Sequence, residues 1–123
     1  MKFLCLICAE QLMEDMTADD AARHYDEYAA FTADLRRSGQ LVDCNRLLPT
    51  PSAVTVRVRK GNVTTVDGPY AETKEHLGGY YVIEAPNMDE AIRVAARIPG
   101  ASLGCVEVRP IAEDEQTRRA LSA

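Results

Sequence analysis

The sequence predicts an α+β fold, an antiparallel sheet with two helices packed on one face. Three observations carry this. Strand and helix signals along the 123 residues follow the order β–α–β–β–(β)–β–α–β. The first strand, Lys2 to Ala9, is apolar at nearly every position instead of alternating, so both of its faces need cover. Each of the two long helical segments joins one strand to another, with a hairpin between them.

After the first strand, "EQLMEDMT" reads as a loop ending at Thr17, an N-cap with Asp19 and Asp20 in the first turn. The helix that follows runs to about Ser38, and its apolar stripe is Ala21, Tyr25, Tyr28, Phe31, Thr32 and Leu35. Arg36 and Arg37 suit its C-terminus and Gly39 stops it. "LVDCNRLLPTP" is a short irregular strand broken by Pro49 and Pro51. "AVTVRVR" alternates, with Val54, Val56 and Val58 expected inward and Thr55, Arg57 and Arg59 on a solvated face. Gly61-Asn62 signals a tight hairpin returning through "VTTV". A further strand runs from about Gly79 to Ala85. Asn87 then caps a second helix with Glu90 in the third position, and Pro99-Gly100 ends it. "GCVEVRPI" is the last strand, with Val106 and Val108 on one face and Glu107 and Arg109 on the other. The tail from Ala112 is polar and either carries one more helical turn or two or is frayed.

This order is ferredoxin-like. Two helices cover only one sheet face, so burying the other face of the first strand calls for a second copy packed sheet to sheet. A homodimer is the expected partner on that ground.

Composition narrows the function classes. Hydrophobic residues make up 46% and charged residues 27%, enough for one real core in a single domain. The net charge of −5 argues against a nucleic-acid partner, whose phosphates need a basic face. No basic amphipathic helix points to a membrane surface, and Phe3 to Ala9 falls far short of the ~20 residues of a membrane span. With no charged leader or cleavage site, a cytoplasmic protein is expected. Cys5 and Cys8 form a C-x-x-C, but on a strand residues three apart point to opposite faces. No second cluster at ligand spacing completes a zinc site. Cys5, Cys8, Cys44 and Cys105 therefore read as small hydrophobes, with no metal, cofactor or disulfide expected.

The segment "DGPYAETKEHLGGYYVIEAPNMDEAIRVAARIPGA…VEVRPI" closely resembles the YCII-related proteins, in the branch named for an Asp-Gly-Pro-Phe motif. Here that motif reads Asp67-Gly68-Pro69-Tyr70. The resemblance spans nearly the whole chain, read as one YCII-related domain over 1–123. It implies a ferredoxin-like sheet forming a dimeric α+β barrel. It also implies an enzymatic role inferred from a histidine and an aspartate, and a connection to sigma-factor-dependent transcription initiation. Carried over residue by residue, the histidine position holds Tyr28 and the aspartate of an Asp-Pro pair is replaced in Ile98-Pro99. The inherited dyad is absent, because isoleucine moves no proton.

The remaining candidates each carry two readings. His24 lies one helical turn before Tyr28, so it is either a relocated general base or a partly buried histidine with an ordinary hydrogen bond. His76, beside "ETKE", reads as solvated. Asp67 is either a turn former accepting backbone N–H groups or a catalytic carboxylate at a loop edge. Tyr80 and Tyr81 point to opposite faces. Glu107 and Arg109 either pair as a salt bridge across neighbouring strands or line a pocket. Gly78-Gly79 permits a close backbone approach. The assembled site is His24 and Asp67 as acid/base groups, with Tyr28, Tyr70, Lys74, Tyr81 and Arg109 on the ligand. It would make the protein a small-molecule enzyme or binder with a pocket between the first helix and the sheet. The alternative is a non-catalytic regulatory module that contacts a sigma factor.

Overall fold

A computed structural model describes residues 1–11 and 13–122. The strands are β1 (Lys2–Ala9), β2 (Leu41–Arg46), β3 (Val54–Arg59), β4 (Asn62–Asp67), β5 (His76–Glu84) and β6 (Gly104–Pro110). The helices are α1 (Ala18–Ser38), α2 (Met88–Ala96) and α3 (Glu115–Leu121). The caps read from sequence form. Thr17 Oγ1 accepts the Asp20 N–H at 3.2 Å, and the Asn87 side chain accepts the Glu90 N–H at 2.9 Å. Gly39 closes α1 in the left-handed region, φ 76°, where a side chain would be strained.

Four strands build one antiparallel sheet in the order β2-β5-β1-β6, the ferredoxin-like α+β arrangement. Phe3 and Cys5 of β1 and Tyr81 and Ile83 of β5 point to the helices. They pack there against Phe31 and Leu35 of α1 and Ala91, Val94 and Ala95 of α2. On the other sheet face, Leu4, Leu6, Tyr80 and Val82 are only half-buried and Glu107 and Arg109 are exposed.

Two expectations need correction. β3 and β4 pair only with each other, as a hairpin inserted between β2 and β5. Val54, Val56 and Val58 therefore face outward, each at least 55% exposed. Their alternation marks an apolar face truly enough, but the hairpin stands off the main sheet and brings that face to no core. Glu107 and Arg109 do pair, Nη2 to Oε2 at 2.6 Å, but along one strand and not across two.

Candidate functional site

α1 and the adjoining ends of β1, β2 and β5 enclose a cavity of about 350 Å³. Its floor is bare because of Gly78 and Gly79. Ile7 faces Gly79 while Cys8 faces Leu77, so Gly78 is the extra residue of a bulge in β5. A Cβ on Gly79 would lie 2.9 Å from the Asn45 carbonyl oxygen of β2, tighter than side chains tolerate. The walls are largely apolar: Ile7, Met13, Met16, Leu47 and Leu103. His24, Tyr28 and Tyr81 supply aromatic faces and polar atoms.

Accounting for protons separates the buried Tyr81 from the half-buried Tyr28. Thr32 Oγ1 donates its one proton to the Tyr28 carbonyl at 2.7 Å. The 2.7 Å contact between Thr32 Oγ1 and the Tyr81 hydroxyl is therefore donated by Tyr81. Tyr81 is committed to the fold. The Tyr28 hydroxyl instead accepts the Gly100 N–H at 3.1 Å, and its own proton meets no acceptor among the described residues. Burial pushes the Tyr28 phenol up to about 12, so it remains a donor throughout the neutral range. Gly100 has to be glycine for this contact, since a Cβ there would come within 2.7 Å of both the Tyr28 hydroxyl and Ile7.

His24 stands edge-on to the Tyr28 ring, centroids 4.9 Å apart and planes at 89°. Its Nδ1 is 3.8 Å from Glu27 Oε2, and its side chain is 11% exposed against 61% for Glu27. The same imidazole borders a smaller cleft of about 260 Å³ lined by Asp20, Arg23 and Glu27. His24 thus separates an apolar cavity from a charged, outer one. Across the larger cavity, Arg46 at the end of β2 pairs with Glu14 of the β1–α1 loop.

The fold gathers His24, Tyr28 and Tyr81 of the residues read from sequence, and leaves out the other four. Asp67 is exposed at the end of β4 and its carboxylate takes no hydrogen bond among the described residues. The turn is made by its neighbour. Gly68, at φ 106°, donates to the Ala53 carbonyl at 2.7 Å and accepts from Thr55 Oγ1 at 2.9 Å. Tyr70, 83% exposed, and Lys74 lie in the loop beyond, off the cavity. Arg109 points to the opposite sheet face, held by Glu107. Ile98, at the inherited aspartate position, is a core residue only 2% exposed. The sequence reading passed over Gly100 and the Glu14–Arg46 pair. Pro99-Gly100 carried only a helix-stop signal, and the ion pair joins segments far apart in sequence.

Residues 1–114 match the YCII-related domain. The chain belongs to the YCII-related family. A relative, Uncharacterized protein R00369 of Rhizobium meliloti (strain 1021), is 39% identical over 105 residues, covering 84% of this chain and 75% of its own. Among solved structures, the domain is similar to 5-chloro-2-hydroxyhydroquinone dehydrochlorinase (TftG) from Burkholderia phenoliruptrix AC1100, in complex with 2,5-dihydroxybenzoquinone. The TM-score is 0.53 at 14% identity, over 94% of this chain and 98% of that one. The likeness is one of fold. Among the described residues, no helix is long and apolar enough to cross a membrane.

Proposed function

We propose that this YCII-related protein binds a small oxygenated ring compound in the α1–sheet cavity and carries out acid–base chemistry on it. The observation behind this is the Tyr28 hydroxyl, which has an uncommitted proton in a mostly apolar cavity beside an imidazole. Tyr28 donates to a carbonyl or phenolate oxygen of the ligand. His24 takes a proton from the adjacent carbon or hydroxyl, and Glu27 steadies the resulting imidazolium from the outer cleft. The cavity volume suits one ring. TftG, of similar fold, holds a one-ring quinone, which supports this ligand class.

The protein works as a homodimer in this reading. The half-buried face of Leu4, Leu6 and Val82 and the valine face of the hairpin both supply apolar surface for a second copy. That hairpin face also favours a second reading, a regulatory module whose partner is a sigma factor.

The test is a thermal-shift screen with monocyclic hydroxy-, keto- and quinone-type compounds, followed by proton exchange of the hits in D₂O. Tyr28→Phe should keep its fold and weaken hit binding by about tenfold, the loss of one hydrogen bond to an oxygen. His24→Gln should bind but exchange no carbon-bound proton. Hits that bind Tyr28→Phe as tightly as the parent chain would sink the reading.

A further inference from the structure

The four cysteines divide once the strands are paired. Cys5 is buried among the core side chains, and Cys44 lies in the cavity wall. Cys8 and Cys105 sit directly opposite each other on β1 and β6 and share one sheet face. The register fixes their spacing. Pro110, which has no N–H, lies opposite Phe3, and the Ile111 N–H donates to the Lys2 carbonyl at 2.9 Å. Hydrogen-bonded and open pairs alternate along an antiparallel ladder. Stepping by twos from Lys2 and Ile111 makes Cys8 and Cys105 a hydrogen-bonded pair, with Cα atoms about 5.5 Å apart. That falls inside the ~4.4–6.8 Å that a disulfide spans. Cys105 is exposed, and its thiol donates to Glu75 Oε1 at 3.7 Å.

We propose that Cys8 and Cys105 form a reversible disulfide site, oxidised by a small-molecule disulfide of the glutathione type. The exposed Cys105 thiolate attacks one sulfur of the small disulfide and expels a thiolate, which takes up a proton. Cys8 then gives up its proton, attacks the Cys105 sulfur of the mixed disulfide and expels the second small thiol. Two protein thiols are oxidised, and one small disulfide is reduced to two thiols. The bond cross-links the strand that carries Ile7 and Ala9 of the cavity wall to the edge of the sheet. Partial desolvation, with the Glu75 carboxylate adding to it, raises both thiols above their ordinary values, so the reaction accelerates with rising pH.

The full-length chain is incubated with oxidised glutathione at pH 7, 8 and 9 and read by intact mass and peptide mapping. Expected are a mass decrease of about 2 Da, a Cys8–Cys105 cross-linked peptide, a rate that rises from pH 7 to 9, and full reversal by dithiothreitol. Cys105→Ser should show no decrease while keeping its circular dichroism, and Cys8→Ser should stop at one glutathionyl group on Cys105. A lasting glutathionyl adduct on Cys105 of the parent chain, with Cys8 still free, would overturn the proposal. So would all four thiols remaining free at pH 9.

Discussion

Tyr28 and Tyr81 face the same cavity with near-parallel rings, planes 6° apart and centroids 6.3 Å apart, yet they differ in what their hydroxyls can do. Burial raises both phenols, Tyr28 to about 12. In the unfolded chain a tyrosine ionises near its ordinary value of about 10. Above that pH the unfolded state loses the proton first, so the folded state is the one that holds it. This contribution to stability is fully present below about pH 10 and is lost as pH climbs towards 12. A spectrophotometric titration should show two of the five tyrosines ionising late, and Tyr28→Phe should remove one late step. If that variant titrates like the parent chain, Tyr28 is not the buried phenol. At this scale the sequence was informative about the helix face. Three-and-four spacing put His24 and Tyr28 on one stripe, and strand alternation turned Tyr81 away from Tyr80. It misled at Asp67, whose turn chemistry is real in general but is supplied here by the backbone of Gly68.

Among the elements, the Gly78–Gly79 bulge does most to create the cavity, because it removes two side chains from its floor while letting β2 come close. Gly79→Ala drives a methyl against the Asn45 carbonyl, backbone that cannot swing aside. Overpacking of this kind costs about 1–3 kcal/mol, and chemical denaturation should find that loss with no change in slope. An unchanged midpoint would mean that β2 is free to shift. The Gly-Gly pair was legible as a close approach, and the caps Thr17, Gly39 and Asn87 were legible down to the residue, whereas α2 stops at Ala96, short of the Pro99-Gly100 stop read from sequence. The hairpin was not. Period-two alternation in "VTVRVR" shows which residues share a face, but the fate of that face depends on what packs over it, which local pattern does not encode. The cysteine pairing was hidden for a related reason: β1 and β6 stand at opposite ends of the sequence, and only the sheet order makes them neighbours.

For the molecule as a whole, the burial argument from Phe3 to Ala9 meets a sheet with helices on one face and half-buried leucines on the other. Light scattering during size exclusion at micromolar concentration should give twice the chain mass, and Leu4→Lys with Leu6→Lys should halve it. A monomeric parent chain would leave the apolar face to another protein and favour the regulatory reading. The sheet order has a further result, for the chain as it is being made. β1 is a central strand, made before either of its two neighbours, β5 and β6, both of which lie beyond α1, β2 and the hairpin in sequence. Until then "FLCLICA" has no partner, and neither helix has a sheet to lie on. Pairing of β1 therefore waits for β5 and β6, and loop closure over that span is slow. Throughout that interval the most apolar segment of the protein is an unpaired strand of the kind that chaperones cover and aggregates recruit.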